Sequence, residues 1–528
     1  MPRYSTDFLS RKSVLFLVVV GLCVLALIRS VYGFYQPIPL QVDEAQYLGW
    51  AHDLAAGYYS KPPFIAWALG GGSAMCNILG IQQIEGCTRM LQSPALFLSA
   101  IAIALTAFQL FGSRKIAVAS ALLFLTMPLS GFYALVASTD AWLFLWWSFA
   151  LLAFVVAQKE DNASLVPWVL CGVALGFGLL TKYSMGIFVF SAVIWLFMQK
   201  KLFTKAPLIA GLIAFVVFLP NILWNIKTGF PTLTHHLELS HVDTAVSAGW
   251  DLYERFNELF SFFSAQFLMF GPLAFMALLI ISSGFGGQGF TAVERNSQRL
   301  LLVFTWPMLA IILLQAFMSR AHGNWAAQAY VAASILVAAY WLGVQENKLA
   351  AKPKLALRSS AFSTTIIVGL IVSVLIMIAP HWSASHEPIR TSQKNPLRKL
   401  KGWKEAALWA QQRVKQQPMR VVSDDRDMLA ALSSYGYPET YPPLAWNPGQ
   451  HKDSHYRWFY DVKDATAMNQ GEMLVLLIGP ASGIDIAQLQ HSFEQFTPID
   501  DANLAAIPLG GNNFRAWAFI ARGFKGYQ

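Results

Sequence analysis

The chain has 528 residues, 55% of them hydrophobic and 13% charged, with a mean hydropathy of +0.46. A soluble globular protein carries about a quarter charged residues, so this composition excludes a water-facing surface over most of the chain and places it in a bilayer. The net charge of +9 does not call for nucleic acid as a partner, because Lys and Arg accumulate in the cytoplasmic loops of membrane proteins and fix their orientation.

The first apolar stretch, about Val14 to Phe34, is too long for the core of a cleavable signal and lacks a small-residue cleavage site, so it is expected to stay as an anchor. Further apolar runs fall at about 90–111, 116–134, 141–157, 165–181, 184–199, 207–224, 258–282, 300–318, 325–344 and 360–380. Each reaches, or nearly reaches, the roughly 20 residues that cross a hydrocarbon core. The segment 62–81 opens with Pro62-Pro63 and is interrupted by Gly70-Gly71-Gly72. If it does not cross, the basic clusters Arg114-Lys115, Lys159, Lys200-Lys201-Lys205, Arg295-Arg299 and Lys348 to Arg358 all fall on the side of Arg3, Arg11 and Lys12. If it crosses, they move outside, against the positive-inside rule. The interfacial reading is therefore the expectation, with about eleven spans.

The opposite face then holds a first loop of about 35–89, short turns at Asp140 and Lys182, a loop at 225–257, a turn at Ser319 to Asn324, and a polar tail from 381 on. The tail has strand-like runs at Met473–Ile478 and Ala516–Ile520 after helix-like text at 401–416, which predicts a small α/β domain. Two domains are expected: 1–380 in the membrane, including the loop 35–89, and a soluble α/β domain at 381–528.

The first outside loop contains Asp43-Glu44, with Tyr47 and Trp50 following Asp43 at helical spacing, then Tyr59-Ser60-Lys61-Pro62-Pro63. An acidic helix start would account for the carboxylates alone. Lys61, however, is held by two prolines that fix the backbone, and a cation so placed at a membrane surface suits phosphate. Asp140 sits where a span begins, and an ionisable group at such depth is costly and functional by default; its structural alternative is a helix N-cap. Lys182 interrupts two apolar runs, and Arg320 and His322 lie at another helix end. Each cation could snorkel to headgroups, yet three on one face with carboxylates nearby would bind a lipid-linked phosphate.

The run Thr234-His235-His236-Leu-Glu238-Leu-Ser-His241-Val-Asp243 matches a metal site in residue type but not in helical spacing, so interfacial histidines are expected there and a divalent cation stays open. Ser423-Asp424-Asp425-Arg426-Asp427 reads as a solvated turn. Cys76 and Cys87 are candidates for a disulfide on the oxidising side. No phosphate-cradling Gly-rich loop and no Gly-x-Ser-x-Gly elbow is present.

Over about 1–345 this order resembles the GT-C superfamily of membrane glycosyltransferases, in particular bacterial relatives of protein O-mannosyltransferases and the aminoarabinose and galacturonic acid transferases of lipopolysaccharide. The residues that carry the resemblance are Val42-Asp43-Glu44-Ala-Gln-Tyr47 and Tyr59-Ser-Lys61-Pro-Pro63, supported by Arg89–Pro94, Thr139-Asp140, Thr181-Lys182 and Asn324–Tyr330. The resemblance implies a polytopic α-helical GT-C fold of about 11–13 transmembrane helices in the bacterial inner membrane, facing the periplasm. It implies a polyprenyl-phosphate-sugar donor, a lipid or glycan acceptor such as lipid A or lipopolysaccharide core, and inversion by single displacement. Carried over residue by residue, Asp43 would be the base, with Glu44 in support. Lys61, Lys182 and Arg320 would hold the donor phosphate, and Tyr47, Tyr59, Asp140 and His322 would support the site or the acceptor. Two other readings use the same groups: transfer to protein Ser or Thr, and a flippase for lipid-linked saccharide. A transporter places its ionisable residues near the midplane and often shows a repeat; here they gather on one face without one.

Overall fold

The computed structural model describes residues 6–159, 164–240, 251–284, 292–342, 352–386, 395–466, 471–480 and 482–527. The chain forms two compact units. The first comprises Met1–Gly33, Arg89–Lys227 and His236–Met377, and the second Phe34–Thr88, Thr228–His235 and Ile378–Gln528.

The first unit is a helical assembly. Among the described residues, five helices are long and apolar enough to cross a bilayer: Ile84–Phe111, Thr139–Ala157, Lys205–Thr228, Glu294–Met318 and Leu357–Ser383. A sixth span arises if Leu252–Phe270 and Pro272–Ser282 act as one, bent by 113°. The apolar run 258–282 reads as continuous in sequence, but Gly271 takes φ +101° and Pro272 starts a new helix there, a turn open to glycine and closed to most side chains. The shorter apolar helices Val166–Thr181 and Tyr183–Met198 are separated at Lys182, whose backbone is extended.

Burial sorts these helices. In Thr139–Ala157 72% of the span is covered by protein, against 17% in Lys205–Thr228 and 11% in Leu357–Ser383. Leu212, Phe215 and Val216 on one outer helix and Ile371, Val374 and Leu375 on the other are exposed. Apolar faces of that kind are at home only in lipid, so the chain is a multi-pass membrane protein. Small residues let helices close on one another: a Cβ on Gly172 would stand 2.5 Å from the Ala210 carbonyl, and one on Gly176 2.5 Å from Val217. Packing of this type drives helix association where no hydrophobic effect operates between helices.

The second unit contains a five-stranded sheet in the order β2-β1-β3-β5-β4. The strands are β1 Arg420–Ser423, β2 Leu444–Ala445, β3 Met473–Gly479, β4 Phe493–Ile499 and β5 Arg515–Phe524. β1 lies parallel to β2 and β3, while β5 runs antiparallel to both β3 and β4. Alternation along the strands feeds two cores, one holding Val421, Leu474, Leu476 and Ala518, the other Val422, Val475, Leu477 and Phe519. The first core also takes in the helices Trp403–Gln416 and Arg426–Ser434 together with Leu40, Ala45 and Leu48. The helix Phe64–Ile78 runs through Gly70–Gly72 without a break, and at 15 residues it is too short to cross. Cys76 and Cys87 are joined in a disulfide, tying that helix to Ile84–Arg89, the opening turns of the span Ile84–Phe111.

Candidate active site

In the second unit the helix Val42–Ala51 begins with two carboxylates that do different things. Glu44 is 1% exposed, and its Oε2 accepts the Gln41 N–H at 3.0 Å, closing the reciprocal cap that helix starts favour. Asp43 points the other way. Its side chain is 58% exposed, and Oδ1 accepts from Arg426 Nη2 at 2.6 Å. Arg426 Nε in turn donates to Gln46 Oε1 at 3.1 Å. The run Ser423–Asp427 is thus no solvated turn: it is the junction between β1 and the helix Arg426–Ser434, with Asp425 as N-cap accepting from the Asp427 and Met428 amides. Burial pushes the Asp427 carboxyl up to about 6, with the negative charge of Asp425 adding to it.

The rest of the loop is braced by rings. Tyr47 is buried against Trp50, and Trp50 stacks on Tyr58 with centroids 4.6 Å apart and planes 4° from parallel. The Tyr58 hydroxyl lies 3.0 Å from the Trp50 and Asp53 carbonyls and accepts from the Ala55 amide. The Tyr58 amide donates to the Lys61 carbonyl at 3.1 Å and Thr232 Oγ1 to the Tyr58 carbonyl at 2.9 Å, so the backbone that carries Lys61 is fixed from both sides. Tyr59 is buried beside His235 and Trp458. Its place is in the packing of the loop.

In the first unit, Asp140 occupies the first turn of Thr139–Ala157, and the N-cap is Ser138, whose Oγ accepts the Asp140 amide at 3.0 Å. Capping therefore does not account for the Asp140 carboxylate. Its Oδ1 accepts from Lys182 Nζ at 2.9 Å and from Gln328 Nε2 at 3.3 Å. The pair is little exposed, at 19% for Lys182 and 7% for Asp140, and burying two charges among apolar helices costs several kcal/mol before their attraction offsets it. Gln92 Oε1 accepts the Ser138 amide, and Gln92 and Gln328 are both 0% exposed. Arg320 and His322 are exposed. The His322 ring lies edge-on to Trp325.

No three His, Cys, Asp or Glu side chains among the described residues are grouped to hold a metal. Of the run 234–243 considered for one, the side chains from His236 on lie outside the described residues. Sequence reasoning missed Arg426, Gln46, Gln92 and Gln328. Gln328 lies within the segment Asn324–Tyr330 that drew attention, whereas Arg426 sits in a charge run whose composition alone signals solvent.

A family model described as dolichyl-phosphate-mannose-protein mannosyltransferase matches residues 60–224, a stretch containing Lys61, Asp140 and Lys182 but not Asp43. The lipid A galacturonosyltransferase RgtD of Rhizobium johnstonii is 30% identical over 305 residues, 57% of this chain and 60% of that protein. An undecaprenyl phosphate-alpha-4-amino-4-deoxy-L-arabinose arabinosyl transferase of Pseudomonas savastanoi is 31% identical over 134 residues, 25% of this chain and 24% of that protein. The chain thus spans about 60% or less of the length of these curated relatives. ArnT from Cupriavidus metallidurans, solved bound to undecaprenyl phosphate, aligns with a TM-score of 0.61 over 95% of this chain and 97% of that one, at 13% identity. That likeness shows the fold, and together the findings bear out the resemblance to GT-C membrane glycosyltransferases.

Proposed function

We propose that this chain, a membrane protein with the GT-C fold, transfers a sugar from a polyprenyl-phosphate-linked donor to lipid A or lipopolysaccharide core at the periplasmic face of the inner membrane. The observation that carries the reading is Asp43, a half-exposed carboxylate on a braced helix start ahead of Lys61-Pro62-Pro63, in a chain that shares its fold with ArnT over 95% of its length. Relatives named for lipid A galacturonosyl transfer and for aminoarabinose transfer support the donor and acceptor classes. The basic clusters between the apolar runs support the orientation. So does the Cys76–Cys87 disulfide, a bond that persists on the oxidising side.

In the reaction, an acceptor hydroxyl attacks the anomeric carbon, the bond from that carbon to the phosphate oxygen breaks, and the configuration inverts. Asp43 receives the hydroxyl proton, a contribution of about 10²–10⁴ in rate. Glu44 is committed to the helix cap, so we assign the base role to Asp43 alone. Lys61 stabilises charge on the departing phosphate. Within the membrane unit, Lys182 is a candidate phosphate contact in its own right: an ammonium has three donors, and one is engaged by Asp140. Arg320 and His322, both exposed, are candidates for further headgroup contacts.

Asp43→Asn keeps the cap and the fold and is expected to abolish transfer. Mass spectrometry of lipid A and core from cells whose only copy carries Asp43→Asn should show the loss of one sugar mass. A normal lipid profile would remove Asp43 as the base. A sugar lost instead from a glycoprotein fraction of the deletion strain would move the acceptor to protein Ser or Thr.

A further inference from the structure

The C-terminal part of the chain carries an arginine onto the candidate base, and stability does not explain why. Arg426 and Asp43 are separated by 383 positions, yet Nη2 and Oδ1 stand 2.6 Å apart. Their side chains are 45% and 58% exposed, and an ion pair so open to water contributes about 0.2–1 kcal/mol. The geometry around it is nevertheless tightly determined. Gln46 is 2% exposed and lies one helical turn after Asp43; its Oε1 takes the Arg426 Nε at 3.1 Å and fixes the plane of the guanidinium. Arg426 is the first residue of its helix, held by the Asp425 cap. That helix lies close against Val42–Ala51, for a Cβ on Gly49 would stand 2.6 Å from Ser433 Oγ. Tyr435, just past the helix end, receives the Leu40 amide on its hydroxyl at 2.7 Å and donates to Glu85. Lys404 reaches Glu85 as well, at 2.6 Å.

The contact is one-sided. Asp43 Oδ1 is engaged by Arg426, and Oδ2 accepts no hydrogen bond among the described residues. A carboxylate pinned through one oxygen has its rotamer fixed and presents the other oxygen in a constant direction.

We propose that Arg426 is the positioning residue for Asp43, so that the C-terminal segment is part of the catalytic machinery. This rests on Asp43 being the base. The guanidinium acts through the carboxylate, and its planar fork is what the role requires: one arm on Gln46, one on Asp43, a pairing that a lysine ammonium cannot reproduce with fixed geometry. Misplacing a reacting group by about 1 Å can cost about 100-fold in rate, so an interaction of little worth to stability can be worth much to transfer.

The test uses the full-length chain in membranes from a strain without its own copy, which supply the cell's donor and acceptor, and reads the rate at which the sugar mass appears on the lipid. Arg426→Ala should slow transfer about 10- to 100-fold with a nearly unchanged melting temperature. Added methylguanidinium should restore part of the rate, and methylammonium at the same concentration should not. Arg426→Lys should recover less than methylguanidinium does. Wild-type transfer by Arg426→Ala overturns the proposal, as does a loss that tracks the melting temperature or ignores methylguanidinium. Asp43→Asn in the same assay separates the two readings: inactive Asp43→Asn beside normal Arg426→Ala removes only the positioning role, while active Asp43→Asn removes the base reading beneath it.

Discussion

Asp43 and Glu44 show how far burial divides two neighbouring residues of the same chemistry. Glu44 is fully covered and spends its carboxylate on a backbone amide, whereas Asp43 is more than half exposed and faces a cation. The same separation by environment governs the histidines of the second unit. His455 is 6% exposed, packed against Trp50 and Phe459, and burial pushes its imidazole down to about 3, with the Arg426 charge adding to this. Burial also lowers His52, to about 4. In the unfolded chain an imidazole takes up its proton near 6.5. Between that pH and the folded value, the unfolded state therefore binds more protons, and stability falls as pH falls. Asp424 and Asp427 act in the opposite sense. Burial raises both to about 6, so their ionisation burdens the fold at neutral pH and protonation relieves it below about 6. His455→Phe keeps the ring packing and removes one of the two acid-sensitive imidazoles. Its melting temperature should fall less than wild type's between pH 6.5 and 4, by up to about 1.4 kcal/mol of stability per pH unit. Identical pH slopes for the two proteins would show that His455 does not carry the effect.

At the scale of elements, the pairing of Val42–Ala51 with Arg426–Ser434 depends on Gly49. Any side chain there meets Ser433, whose Oγ already donates to Ala430 and shares a hydrogen bond with Tyr456, and so cannot step aside cheaply. Gly49→Val should push the helices apart, costing about 1–3 kcal/mol by overpacking and lowering transfer with it. Ser433→Gly in the same chain should return part of both. A Gly49→Val protein with wild-type melting temperature would show that the contact is looser than described. Element types were largely legible in the residues: the strands at Met473–Gly479 and Arg515–Phe524 and the helix Trp403–Gln416 fall where the text of the tail implies. Element ends were less so. The turn at Gly271 is invisible in an apolar run because hydropathy does not register backbone φ. The helix through Gly70–Gly72 continues because glycine only weakens a helix, by about 1 kcal/mol each.

Across the whole molecule, Phe34–Thr88 folds with Ile378–Gln528 into one unit although some 300 residues separate them in sequence. The Cys76–Cys87 bridge staples the first of these segments. Unreduced, denatured protein should titrate two thiols, Cys23 and Cys171, and four after reduction. Cys76→Ser with Cys87→Ser should lose about 2–3 kcal/mol of stability, as removal of a short-loop disulfide does, and wild type under reductant should melt with it. Four thiols without reduction would remove the bridge.

What this sequence determines by itself is what a one-dimensional pattern can hold. Residence in the bilayer follows from runs of about 20 apolar residues, because the solvent there is lipid and every span must satisfy it separately. The acidic helix start and the Lys61-Pro62-Pro63 corner are local in the same way, and so were readable. Which carboxylate faces a cation, which buried amide holds Asp140, and which part of the chain reaches Asp43 were decided only by tertiary packing. Contacts such as Arg426 with Asp43 and Gln328 with Asp140 join residues 383 and 188 positions apart. They exist because whole helices bury apolar faces against one another, and no neighbouring residue in the chain announces them.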